Sequence, residues 1–277
     1  MNMKAKSLSA IVMPLVLAQA CAATVRQTRK APPPQMIPAG TPRQPPPAPG
    51  DVDNTPNTDP DIRRLAFITP TARPVEIVYR HRARSMGSPT NGTLENGRCL
   101  PSEGPGFVDF SKNRCATDET IVLLMFAIKE VMTAYPDTPP IVLGSLSRPG
   151  GGPLKPHRSH CSGRDVDIGF IPANGRPLRH FVNLGPEGID YDRTFFMIAN
   201  LIATGRVKYI FINYSLQSRF YEAAKRMGYD EDQLSYIIQY PRPRKLRTGI
   251  IRHARGHKRH FHVRFACPDR DTQCTDE

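Results

Sequence analysis

Apolar positions recur at helical spacing after Thr117: Ile121, Leu124, Met125, Ile128, Val131 and Met132 form one stripe, and Pro136 ends the run. Thr117 can cap this helix, while Asp118 and Glu119 suit its positive N-terminal end. The stripe reads as core packing. Further helices are predicted from Tyr191 to Thr204, closing at Gly205, from Leu216 to Met227 with Gly228 as its stop, and over Asp232 to Tyr240. Between them the pattern changes to short β-branched runs at Val75 to Tyr79, Ile141 to Gly144, Asp165 to Ile171, Val207 to Ile212 and His260 to Phe265. Gly87, Asn91-Gly92 and Asn96-Gly97 mark successive turns. Helices and strands interleave, but the strands are short. The expected class is therefore α+β, a single small domain with a short-stranded antiparallel sheet flanked by helices rather than a doubly wound sheet. Order is expected to begin near Ile62 to Ile68, with the domain spanning 61–277.

Composition changes the picture at the N-terminus. Lys4 and Lys6 precede the apolar run Leu8 to Leu17 and then Ala18-Gln19-Ala20, the pattern of a secretory signal, assigned to 1–23. Cys21 after that triplet raises a lipid anchor as the alternative to ordinary cleavage. The 29 prolines are concentrated near the N-terminus, and 24–60 reads as an extended, disordered Pro-rich linker, which cannot bury enough apolar surface to offset its conformational entropy. No later segment approaches the ~18 continuous apolar residues that a membrane span needs. The formal charge of +13 favours an anionic partner: a nucleic acid, an acidic membrane surface or an acidic wall polymer. Export makes disulfides available, so Cys267 and Cys274 are expected to close a short polar loop and Cys99 and Cys115 to bracket a second. Cys161 is read as a free, packed thiol.

The candidate chemistry lies in two clusters. His157-Arg-Ser-His160-Cys-Ser-Gly-Arg-Asp165-Val-Asp167 places two histidines and two aspartates within eleven residues, and His257-Lys-Arg-His260-Phe-His262 adds three more of the chain's 8 histidines. Side chains alternate along a strand, so Asp165 and Asp167 share one face and His260 and His262 share one face, with Val166, Ile168, Phe261 and Val263 opposite. Pairing the two strands would gather imidazoles and carboxylates around one point, with His160 reaching in from its loop. A His, Asp, His set suits zinc, with a fourth position left for water. Spacing does not say which histidine or aspartate takes which part. The competing reading, a basic phosphate-binding patch from Arg252 to Arg264, requires neither His160 nor the aspartates, and carboxylates there would weaken phosphate binding. The glycines of 145–156 lack the spacing and lysine of a phosphate-binding loop.

At these residues the chain resembles the penicillin-insensitive murein endopeptidases, within the wider lysostaphin, D-Ala-D-Ala peptidase and hedgehog-like zinc peptidase fold group. The resemblance runs from about Ser85 to Cys274. It is carried by Gly151-Gly-Pro, by His157-x-x-His160-x-x-Gly163-x-Asp165-Val-Asp167-Ile, by Ile210-Phe-Ile-Asn, and by Gly256-His257-x-x-His260-x-His262-Val-Arg264 followed by Cys267-Pro268 and Cys274. It implies that His160, Asp167 and His262 bind zinc (Zn2+), that His260 is the general base, that His257 and His157 hydrogen-bond the intermediate or the metal's water, and that Asp165 orients a neighbouring imidazole. It also implies a Cys267–Cys274 bridge and, as substrate and partner, peptidoglycan, cut at the cross-link between D-alanine and a diamino acid. The expected location is the periplasm, and no nucleic-acid partner is expected. A D-Ala-D-Ala carboxypeptidase and a non-catalytic wall-binding module on the same fold are the alternatives. The Pro-rich leader, Lys155-Pro156 and the Arg-rich stretch 242–255 depart from the family pattern.

Overall fold

A computed structural model describes residues 82–276. The expected leader, linker, first strand at Val75 to Tyr79 and onset of order at Ile62 to Ile68 lie outside the described residues. In chain order, β1 (Arg84–Gly87) and β2 (Gly92–Glu95) form an antiparallel pair, β3 (Arg98–Cys99) pairs with β6 (Cys115–Ala116), and β4 (Glu103–Gly104) pairs with β5 (Phe107–Asp109). Helix α1 (Asp118–Ala134) follows, capped by the Thr117 side chain, which accepts from the Thr120 amide. Then come β7 (Ile141–Leu143), β8 (Asp165–Gly169), α2 (Tyr191–Ala203), β9 (Val207–Ile212), α3 (Tyr214–Arg226), α4 (Glu231–Ile237), β10 (Ile251–His253) and β11 (His260–Phe265). The predicted helices all form. Asp230 closes the last with a capping box to Gln233, fixing its start one residue ahead of the expected Asp232.

Seven strands make one sheet in the order β10-β9-β11-β8-β7-β5-β4. Its centre, β9-β11-β8-β7, is antiparallel as expected, whereas β10 joins β9 in parallel and β5 joins β7 in parallel. The sheet is thus mixed, because β10 and β5 enter from distant connections rather than hairpins. Strand β10 lies in the Arg-rich stretch, whose charge hides a three-residue run.

The two faces of the sheet differ in chemistry. Val166, Ile168, Ile210, Ile212, Phe261 and Val263 point to one side and merge with the apolar stripes of α1, α2, α3 and α4 into one core. Burying each such side chain is worth about 1.5–3 kcal/mol, and a one-residue slip in register would turn all of them outward. The register therefore fixes the other face too. The register pairs His262 with Asp167 and Arg264 with Asp165, leaving His260 opposite Gly169. Disulfides join Cys99 to Cys115 and Cys267 to Cys274, and Cys161 is buried and free. Among the described residues no helix is long and apolar enough to cross a membrane.

Candidate metal centre and active site

The site forms where the loop between β7 and β8 crosses the polar face of β8 and β11. Ser147 fastens that loop: its hydroxyl donates to the His160 carbonyl and accepts from the Gly163 amide. His160 itself adopts φ 72°, in the left-handed region. Its amide donates to Asp165 Oδ2 at 2.8 Å, so a carboxylate of the following strand holds the unusual backbone. Its ring Nδ1 lies 2.8 Å from the Leu146 carbonyl, which requires the proton on Nδ1 and leaves Nε2 with a free lone pair. That Nε2 is buried without a hydrogen-bond partner, 3.4 Å from Asp167 Oδ1. An orphaned, correctly tautomerised imidazole nitrogen beside a carboxylate is the arrangement a metal ligand needs.

Asp167 is the hub. Its Oδ1 is 2.9 Å from His262 Nδ1 and 3.7 Å from His260 Nε2, and its Oδ2 is 3.6 Å from His157 Nδ1. Two overlapping sets of donors, His157 with His160 and Asp167, and Asp167 with His257 and His262, each gather within 4.8 Å. His160 and His262 rings stand edge to face at 4.7 Å. Asp165 supports this group: its Oδ1 lies 2.9 Å from His262 Nε2 and accepts from Arg264 Nε at 2.9 Å. His257 is turned by its Nδ1 contact with the Arg255 carbonyl at 2.8 Å, and its ring lies 5.0 Å from His260. All seven side chains singled out in the sequence thus meet in one place. His253, by contrast, accepts from the Tyr214 amide at the start of α3.

Protonation divides the histidines. Burial lowers His260 to about 4, despite the pull of Asp167 in the other direction. Burial also lowers His157 and His257, helped in each by a neighbouring imidazole. His262 goes the other way. Burial again opposes charge, but Asp165 and Asp167 outweigh it and push the ring up to about 9. Burial acts to raise both carboxyls, yet the surrounding imidazoles, with Arg264 at Asp165, hold them well below the usual carboxylate range. The result is an anionic pair ringed by three imidazoles that stay neutral near pH 7 and can accept a proton or donate one N–H bond.

Several participants carry no sequence signal. Phe181 stacks on His260, ring centroids 4.6 Å apart and planes at 12°, and Phe110 meets Phe181 edge-on at 4.9 Å. Two glycines admit Phe181 to the sheet surface: a Cβ on Gly144 would come within 2.6 Å of its ring, and one on Gly169 within 3.3 Å. Nothing in a loop phenylalanine predicts this. Arg264 was within reach, because it shares strand parity with His260 and His262.

The family described as penicillin-insensitive murein endopeptidase matches residues 85–184, which include the first cluster. A protein of Haemophilus influenzae named penicillin-insensitive murein endopeptidase is 25% identical over 213 residues, 71% of this chain and 68% of that protein. That alignment is longer than the stretch matched by the family. With both motif strands paired in register and their polar side chains converging, the chain is similar to the penicillin-insensitive murein endopeptidases over the stretch that holds the first cluster.

Proposed function

We propose that this protein is an exported zinc-dependent murein endopeptidase that hydrolyses D-alanyl-diamino acid cross-links without a covalent intermediate. The observation that carries the reading is the convergence of His157, His160, His260 and His262 on Asp167, with His160 Nε2 buried and unpartnered. His160, Asp167 and His262 would hold the metal. When bound, zinc supplies a water acidic enough to yield a nucleophile near neutral pH, with a pKa of roughly 7. His260, kept neutral by burial, takes a proton from the attacking water. His157 and His257, neutral N–H donors, stabilise negative charge on the attacked carbonyl oxygen. Asp165 fixes the rings: it binds His262 directly and His160 through its backbone amide.

The reading extends to the rest of the chain. Residues 1–23 serve as an export signal and 24–60 as a spacer, and 61–277 form the catalytic domain in the periplasm, with Cys21 as a membrane tether if lipidated. Digestion of purified sacculi, with products identified by mass, tests the activity. Cross-linked dimers should fall to monomers, EDTA should abolish the conversion, and zinc should restore it. His262→Ala should abolish the conversion, because the metal would lose one of the three protein ligands that hold it where it acidifies the water. Undiminished turnover in that variant would sink the assignment. Free D-alanine from uncross-linked stems would instead identify a carboxypeptidase, and sedimentation with sacculi without any product a wall-binding module.

A further inference from the structure

The histidine cluster sits near the middle of its sheet face, and the same face continues across β9 to the edge strand β10. Register makes this continuity explicit. Asp167 pairs with His262, His262 with Phe211, and Phe211 with Arg252, so four side chains on four adjacent strands form one row on one face. The Phe211 and His262 rings are 5.4 Å apart, in agreement with that placement. Neighbouring strands are about 4.8 Å apart, so the Arg252 backbone lies about 10 Å from that of His262.

Arg252 is built as a recognition group. Its guanidinium lies 3.9 Å above the Tyr209 ring, and its Nε donates to the Gly249 carbonyl at 2.7 Å. Stacking on one face and anchoring at Nε leave the Nη edge, the two-pronged side that matches a carboxylate. No ion pair joins Arg252 to a carboxylate among the described residues. The other cations nearby are engaged: Arg264 with Asp165, Lys208 with Asp276 at 3.5 Å, and Arg242 with the carbonyls of Ser235, Ile238 and Gln239. Arg252 and Tyr209 also open a groove of about 540 Å³, which Lys208, Arg242 and Asp276 help to line. Its charge is net positive, and Tyr209 and Phe211 supply an apolar floor between it and the cluster.

We infer that Arg252, seated on Tyr209, binds a free carboxylate of the peptide being cut, and that it does so about three residues from the scissile bond. An extended chain advances about 3.3 Å per residue, so three residues cover the ~10 Å between the Arg252 and His262 backbones. The inference rests on the peptidase reading above and specifies the substrate: a stem peptide that keeps a carboxylate at this distance rather than its amide.

The test uses zinc-loaded full-length protein and two synthetic cross-linked peptides that differ only in having a carboxylate or a carboxamide at that position. Wild type should hydrolyse the acid about 10- to 100-fold better in kcat/KM, the worth of a charge-assisted bidentate contact. Arg252→Gln should lose that preference through a higher KM on the acid, with kcat and zinc content held, and should treat the amide as wild type does. Arg252→Lys, which keeps the charge but not the fork, should retain only part of the preference, and thermal melting of both variants checks their folding. Wild type indifferent to amidation, or an equal loss on both peptides in Arg252→Gln, overturns the inference. If wild type cleaves neither peptide nor sacculi, the peptidase reading fails by itself. Equilibrium binding of the two peptides then decides the anchor: tighter binding of the acid by wild type than by Arg252→Gln supports it, and equal binding overturns it. Retention of a phosphate-rich wall polymer that depends on Arg252, with no discrimination between the peptides, also overturns it.

Discussion

His160 holds φ 72°, a conformation that costs on the order of 1–3 kcal/mol for a residue with a Cβ. Asp165 on its amide and Ser147 on its carbonyl keep it there, so the strain orients the ring toward Asp167. Asp109 is a different kind of costly residue. It is buried at the end of β5, with Oδ1 accepting from the Ser111 amide and Oδ2 without a hydrogen-bond partner. Burial raises its carboxyl to about 7, with Ser111 and Arg114 only partly offsetting. Because the folded value lies above the unfolded one, its contribution is fully present below about pH 4 and is lost as pH rises through about 7. Asp109→Asn should therefore flatten the fall in stability over that interval and be more stable than wild type above neutrality, by roughly 1–3 kcal/mol. Urea unfolding of both proteins across the interval measures it, and parallel pH profiles would contradict the assignment.

Strands β8 and β11 place the ligand face, but the segment after β8 completes it. Gly144 beyond β7 and Gly169 at the end of β8 leave the sheet surface bare where Phe181 lies flat against His260. Phe181 lies flat on His260, so it can hold that ring in place. With His260 as the base proposed above, Phe181→Ala should lower kcat roughly tenfold with little change in KM or zinc content, since a group that contributes ~10²- to 10⁴-fold would be misplaced rather than removed. Phe181→Tyr or Phe181→Leu should recover much of the rate. A variant that changes KM alone, or only the melting temperature, would assign Phe181 to substrate binding or to packing. Alternation along β8 and β11 was legible from the residues because parity is a local property. Phe181 was not, because its place against His260 depends on glycines after β7 and at the end of β8.

Arg164 binds the described residues together across the whole domain. Its buried side chain donates to Ser85 Oγ in β1, to the Phe265 carbonyl ending β11, to the Thr275 carbonyl and to Asp276 Oδ1 at 2.7 Å. One guanidinium immediately before β8 thus holds the first strand, the last strand and the C-terminal segment that follows the Cys267–Cys274 bridge. Arg164→Met takes a donor from the Phe265 and Thr275 carbonyls, from Ser85 Oγ and from Asp276, which keeps the Cys267 amide and Lys208. The expected loss is about 3 kcal/mol, or about 6–12 °C in melting temperature for a domain of this size. Calorimetry is the check, and a shift under about 2 °C would show that water replaces the donor.

By itself the sequence determined the helices, the two motif strands, the polar face each presents and the seven ionisable side chains that meet there. Those follow from period, capping and side-chain parity, which act over a few residues. It left open which histidine stays neutral, which nitrogen is free and what else faces the cluster. Tertiary structure decided these, because a proton's position depends on the Leu146 carbonyl and on burial, and both exist only once β7, β8 and β11 are side by side. The edge strand β10 is the clearest case. Arg252 reads as one cation in a basic stretch until parallel pairing with β9 sets it over Tyr209, in the row that ends at Asp167. Long-range pairing alone turns a charge on a loop into a group at a fixed distance from the site.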